Sequence, residues 1–310
     1  AEIFDKYGAD LLRLWAGSAD YHVDVRCSDE IFKQLSQNYL KFRNTCKFCL
    51  DNLVGFDADH LVQPDEMLPL DKWAVTRLNT LIEKVFAAYD NYEFHVVSHM
   101  VNDFCVVDLS SFYFDIIKDR LYCGEENSLE RRSAQSAVWM ILDAMTRLFA
   151  PILAFTCDEV WLAMPHRAGD DARNVLLNQM VQPYAAYALS EEEMGKWARL
   201  AALRTAVNGA LEQARADKTI GKSLEAEVDL TVTAEDAFLT DMDAADLADL
   251  LIVSQVRVEV GAEQDVAVRP ANGAKCLRCW KVLPTVGSDA GHPDLCPRCA
   301  AVVKNLPVIE

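Results

Sequence analysis

A chain of 310 residues with 51% hydrophobic and 25% charged side chains has the composition of an ordinary globular protein, long enough for two or three domains. No run approaches the roughly 18 uninterrupted apolar residues of a membrane span, since the most apolar stretch, 139–155, carries Asp143, Arg147 and Pro151. A formal net charge of −18 excludes a generic polyanion binder, because the field of the whole molecule repels phosphate and any nucleic-acid contact has to be local.

The acid is unevenly spread. Ser223 to Asp265 has Arg257 as its lone base, whereas Lys196 to Lys222 and Lys275 to Lys304 are net basic. Such asymmetry predicts one repelling region and two attracting ones. Ten cysteines without a signal peptide, six of them scattered, fit a reducing cytoplasm rather than a disulfide framework. The opening "AEIFDKYGAD" reads as a piece cut from a longer chain.

From Ile31 to Leu162 the pattern is helix after helix. Ala74, Leu78, Leu81, Ile82, Val85 and Tyr89 fall at helical spacing, and so do Ala134, Val138, Ile141, Leu142, Met145, Leu148 and Phe149. Pro151 ends that second stripe, and Thr156 with Glu159 has capping-box spacing for the next helix. These features predict a mainly α chain with an antiparallel helix bundle over 31–166, preceded by a short segment 1–30 and left through a polar linker, 167–190. A small α+β domain is expected over 191–272. It comprises a helix from Glu191 to Arg215, a strand of period two from Leu224 to Val232, an acidic helix from Ala234 to Leu251, and two short alternating runs, "VRVEV" and "VAVR".

The last segment, 273–310, carries the most specific signal. Cys276, Cys279, Cys296 and Cys299 form Cys-x2-Cys-x16-Cys-x2-Cys, the spacing of a structural zinc site. Four thiolates complete a tetrahedron and leave no open coordination place, so one Zn2+ in a structural role is expected. A module of roughly 35 residues cannot fold on its own core, so metal binding supplies most of its folding free energy. His292, beside Pro293, reads as a turn residue rather than a ligand. "CKFC" at 46–49 lies within a helical stretch and reads as core; His95 and His99 have helical i, i+4 spacing but no third ligand nearby. "ADKTIGKS" approaches a phosphate loop, but it lacks the first glycine and is followed by a strand instead of a helix. The chain shows no catalytic constellation.

Together these stretches resemble the carboxy-terminal part of bacterial-type isoleucyl-tRNA synthetases. "YLKFRNTCKFCLDNL", "LDKWAVTRLNTLI", "YEFHVVSHMVNDFCVVDLSSFYFDIIKDRLY" and "ILDAMTRLFAPILAFTCDEVW" resemble successive parts of the family's helical anticodon-binding domain. "LEQARADKTIGKSLEAEVDL" resembles the junction beyond it. "CLRCW…HPDLCPRCA" is similar to the terminal finger shared with formamidopyrimidine-type DNA glycosylases.

The resemblance implies the class I synthetase bundle fold and a role in recognising the anticodon stem and loop of isoleucine tRNA, within an enzyme that joins isoleucine to tRNA with ATP. The His-x-Gly-His and Lys-Met-Ser-Lys-Ser signatures of the family are both missing. No catalytic residue is therefore expected in this chain, which should be inactive alone and should need ATP only as part of the full-length enzyme. The implied tRNA contacts are Trp280, Arg278, Lys281 and Arg298 around the finger, with Arg204, Arg215, Lys218 and Lys222 in the junction. Trp280 has two open readings, a stacking face or a finger-core residue. The implied partners are tRNA and the upstream catalytic domain of the same polypeptide, in a cytoplasmic monomer with no membrane contact. Alternatives are a sister synthetase for valine, leucine or methionine, and a stand-alone tRNA-binding or scaffold protein. A DNA-repair glycosylase tail would leave the bundle without a counterpart.

Overall fold

The computed structural model describes residues 2–306, so residue 1 and residues 307–310, the outer ends of the first and last expected segments, lie outside the described residues. Two compact units divide the chain: Ala1–Ile117 with Glu126–Leu189, and Lys118–Glu125 with Ser190–Glu310. No helix among the described residues is long and apolar enough to cross a membrane.

The first unit is all helical. After α1 (Glu2–Tyr7) and α2 (Ala9–Ser18) come α3 (Asp29–Asn52), α4 (Pro69–Asp90) and α5 (Phe94–Asp103). The chain then widens into a π-helix over Phe104–Tyr113 and tightens again as α6 (Phe114–Cys123), whose residues from Lys118 on belong to the second unit, followed in the first unit by α7 (Leu129–Phe149) and α8 (Ala154–Ala163). Ser28 and Ser128 cap α3 and α7, each accepting from the backbone N–H three residues on. The expected apolar stripes of α4 and α7 are buried, apart from the half-buried Tyr89, whose hydroxyl donates to the Leu148 carbonyl at 2.8 Å.

α7 departs from a simple amphipathic helix, because every residue from Ser133 to Thr146 is buried. Three of its polar side chains are met by distant partners. Ser133 donates to Asp71 at 2.6 Å, Gln135 donates to the Asn52 carbonyl at 2.9 Å, and Ser136 accepts from the Val62 N–H at 2.9 Å. A helix covered on all sides is the centre of its unit. Pro151 ends it as expected, with Ala150 as C-cap.

Two local expectations are corrected. Helix α8 begins at Ala154, two residues before Thr156, so Thr156 does not cap it. The cap comes from α2, where Asp10 accepts from Phe155 N at 3.2 Å, Thr156 N at 2.6 Å and Thr156 Oγ1 at 2.5 Å. The acidic stretch Ala234–Leu251 is not one helix either. It is a 3-10 segment, Ala234–Asp241, then α10 (Ala244–Leu251), because Asp243 turns its carboxylate onto the N–H groups of Ala245 and Asp246 and starts a new helix.

In the second unit α9 (Glu191–Ala216) opens with a capping box of Ser190 and Glu193. β1 (Ala226–Val232) is the central strand of three, parallel to β2 (Gln255–Val260) and antiparallel to β3 (Asp265–Pro270). β4 (Ala274–Lys275) and β5 (Val282–Leu283) form a short hairpin, and α11 (Pro297–Lys304) closes the described chain. Ser254 joins sheet and hairpin by donating to the Leu224 carbonyl at 2.5 Å and accepting from Val282 N at 2.7 Å. At Gly273, where the finger begins, φ is 122° and a Cβ would stand 2.2 Å from the Leu283 carbonyl carbon, so only glycine fits.

Candidate metal centre and nucleic-acid interface

The finger holds its four cysteines on two different frames. Cys276 and Cys279 lie in the turn between β4 and β5, closed by Trp280 N donating to the Cys276 carbonyl at 2.9 Å. Cys296 and Cys299 lie at the start of α11, where Pro297 supplies the first helical position without wasting an N–H. All four are buried, and their Sγ atoms lie within 4.8 Å of one another. Zn–S bonds of about 2.3 Å in a tetrahedron require sulfurs about 3.8 Å apart, and Cys279 and Cys296 are at 3.9 Å.

The electrostatics suit a cation. Burial opposes ionisation of Cys276, but N–H donors from Cys279, Cys296 and Arg278 outweigh it and bring that thiol down to about 6. Burial and the neighbouring thiols Cys296 and Cys299 push Cys279 well up, because several thiolates cannot share one pocket without a positive charge between them. The donor set therefore fits one structural zinc, with no place left for a reacting ligand. His292 is a turn residue, its N–H donating to the Asp289 carbonyl and its carbonyl accepting from Leu295. "CKFC" is core, with both thiols buried on α3. Among the described residues these four cysteines are the only group of His, Cys, Asp and Glu side chains close enough to hold a metal.

The core of the finger is not closed by finger residues alone. Cys123, at the end of α6, is packed in the same cluster as the four ligands. Its thiol donates to the Arg278 carbonyl at 3.7 Å, and Arg278 Nη1 donates back to the Cys123 carbonyl. Nothing in the spacing of the cysteines pointed to this fifth one, 153 positions before the first ligand.

The basic residues fall into two groups. Arg278 is engaged with Cys123, Arg298 forms a two-point ion pair with Asp119, and Lys281 is buried against Asp249. Arg204 is buried on α9 and donates to the Leu250 carbonyl at 3.1 Å, and Arg215 pairs with Glu212 at 2.5 Å. Lys218 and Lys222 are exposed. Trp280 is 56% exposed, so its ring stands at the surface of the finger. Its backbone is left-handed, with φ at 66°, and two ammonium groups lie near its ring: Lys222 Nζ at 5.7 Å and Lys275 Nζ at 6.0 Å from the centroid. Lys275 is missing from the sequence-based set. Its signal was its position beside the first ligand in the net-basic tail.

The chain matches two family models, "Anticodon-binding domain of tRNA ligase" over residues 71–230 and "Zinc finger found in FPG and IleRS" over residues 273–302. It is 44% identical over 317 residues to the isoleucine–tRNA ligase of Geobacter sulfurreducens, covering 98% of this chain and 34% of that protein. The isoleucine–tRNA ligase of Desulforamulus reducens is 45% identical over 316 residues, with the same coverage of 98% and 34%. The chain thus spans about a third of the length of these relatives. Among solved structures, the ternary complex of Agrobacterium radiobacter K84 agnB2 LeuRS-tRNA-LeuAMS is similar at a TM-score of 0.42 and 12% identity, over 88% of this chain and 24% of that one.

Proposed function

Since the chain belongs to the anticodon-binding-domain family of tRNA ligases, we propose that it is the part of an isoleucine–tRNA ligase that grips the anticodon stem and loop of isoleucine tRNA. The whole enzyme would join isoleucine to that tRNA using ATP, in the cytoplasm and as a monomer, with the catalytic domain upstream in the same polypeptide. Residues 31–166 serve as the anticodon-binding bundle, 191–272 as a junction and 273–310 as the finger.

The observation that carries this reading is the exposed ring of Trp280 with Lys222 and Lys275 beside it, on a chain of net charge −18. Unstacked bases take aromatic faces and phosphates take cations, so a flat ring flanked by ammonium groups suits a splayed single-stranded loop. Lys218 and Lys222 are the leading phosphate contacts. Arg204, Arg215, Arg278, Lys281 and Arg298 reach phosphate only by leaving partners within the chain.

Binding of the zinc-loaded chain to isoleucine tRNA and to anticodon-swapped variants, at one fixed salt concentration, tests the proposal. Swapping the anticodon should weaken binding, and Trp280→Ala should cost about 1–3 kcal/mol with little change in salt slope. Equal affinity for all anticodons would overturn it. The purified chain should also support no isoleucine-dependent pyrophosphate exchange.

A further inference from the structure

The turn between α9 and β1 brings Lys222 to Trp280, and one side chain holds that turn. Helix α9 stops at Ala216, and the chain reverses through Lys218, whose φ is 59°. Thr219 N donates back to the Ala214 carbonyl at 2.9 Å, and Ile220 is buried. The next two N–H groups, Gly221 at 2.9 Å and Lys222 at 3.2 Å, both donate to Glu225 Oε2. Glu225 N in turn donates to the Lys222 carbonyl at 2.9 Å, and the Glu225 carbonyl accepts from Ala271 N at 2.8 Å, at the end of β3. The carboxylate is pressed onto the turn so closely that a Cβ on Gly221 would stand 2.9 Å from Oε2.

We infer that Glu225 is a positioning residue: its carboxylate clasps the Gly221–Lys222 turn and thereby keeps the Lys222 ammonium beside the Trp280 ring. The inference deepens the proposed function and rests on it for its RNA consequence. Lysine is a long, flexible side chain, and its reach is set by where its backbone is fixed. With the turn clasped, Lys222 and Lys275 stand near one ring, ready to meet the phosphates next to a stacked base. The two N–H donors, followed by the charges of Lys275 and Lys222, hold the Glu225 carboxyl below its usual range, so it is ionised at neutral pH.

An acid beside an RNA-binding surface has an obvious alternative effect, which is to repel RNA. The two effects differ in sign. Glu225→Gln and Glu225→Ala remove the same charge, but glutamine keeps an acceptor oxygen for the two N–H groups and alanine keeps none. Any difference between the two variants is therefore geometric.

The test uses the zinc-loaded chain and two readouts. The first, without RNA, is quenching of Trp280 fluorescence by iodide relative to neutral acrylamide, with Trp280→Ala as background. Trp280 is the exposed tryptophan, whereas Trp73, Trp139, Trp161 and Trp197 are buried and Trp15 is half-buried. Nearby ammonium groups concentrate iodide, so Glu225→Ala should fall below Glu225→Gln. The second readout is affinity for isoleucine tRNA, where Glu225→Ala should bind about three- to tenfold more weakly than Glu225→Gln.

In a Lys222→Ala background that gap should close in both readouts, which a merely structural loosening of the turn would not produce. Equal behaviour of the alanine and glutamine variants, or a gap that persists without Lys222, would overturn the inference. If iodide separates the variants and tRNA binding does not, the clasp stands and the proposed RNA surface falls. If the chain binds no tRNA, the proposed function fails and the iodide comparison alone decides the role of Glu225.

Discussion

Arg298, in the first turn of α11, makes a two-point ion pair with Asp119 on α6, 179 residues earlier in the chain, with Nη2 at 2.8 Å from Oδ1. Cys123, one turn further along α6, receives Arg278 from the other knuckle. Both metal-binding frames are thus fastened to one face of the last turns of α6, by residues at i and i+4. Burial opposes the charge on Asp119, but Arg298 outweighs it and keeps the carboxyl below its ordinary range.

The fastening leads to the first expectation. Arg298→Ala should loosen the finger from 118–125 at a cost of about 1 kcal/mol, the upper range for an ion pair that is partly solvated. Hydrogen exchange of the α6 amides is the direct measurement, with zinc content unchanged. The salt slope of tRNA binding should hardly move, because Arg298 already has its partner. A slope shallower by roughly 0.7–0.9 would show instead that Arg298 leaves Asp119 for a phosphate.

Removal of zinc should show how far the finger depends on its metal. With sulfur-only ligation by Cys276, Cys279, Cys296 and Cys299, one zinc per chain is expected, and Cys296→Ser should release it. The tail should unfold and the helices of the first unit should remain. Because Cys123 is packed among the ligands, the last turn of α6 should also lose protection. X-ray absorption showing a nitrogen ligand, or loss of helicity throughout the chain, would contradict this.

What could be read from the sequence follows a physical line. The stripes of α4 and α7 and the cysteine spacing are local patterns, imposed by helical periodicity and by tetrahedral ligation, and they stood in the chain before any contact was known. The features that escaped depend on pairs far apart in sequence. The all-round burial of α7 needs Asp71, Asn52 and Val62 to meet Ser133, Gln135 and Ser136. The seat of the finger needs Asp119 and Cys123. Two arginines at the zinc knuckles look the same in sequence whether they face RNA or, as Arg278 and Arg298 do, a backbone carbonyl and an aspartate. The break at Asp243 was local, yet one capping aspartate among six acids between 234 and 251 does not stand out.

Asp10 offers a sharper test of a long-range cap. Its carboxylate takes three hydrogen bonds from the start of α8, and it is only 8% exposed. Hydrogen bonds to a charged group contribute about 1.5–3 kcal/mol each way, and removing the acceptor leaves buried donors unpaired. Asp10→Ala should therefore destabilise the chain by about 2–3 kcal/mol in urea, with Asp10→Asn losing less because its carbonyl oxygen still accepts. A loss below 0.5 kcal/mol, of the order seen at an ordinary surface site, would mean that the α8 terminus finds water instead.

Trp280 combines an unfavourable backbone with an exposed ring, and substitutions can separate the two. At a φ of 66° a side chain crowds its own carbonyl, a strain of about 1–2 kcal/mol that glycine does not feel. Such outliers persist where the side chain has a use. Trp280→Gly should therefore make the finger hold its zinc longer against a chelator than Trp280→Ala does, because alanine keeps the strain. Both variants should lose the same affinity for tRNA, because both lose the ring. Equal zinc retention by the two would remove the strain argument. Loss of zinc or melting of the tail in Trp280→Ala would make the indole part of the finger's own structure, despite its exposure, and the stacking role would fall with it.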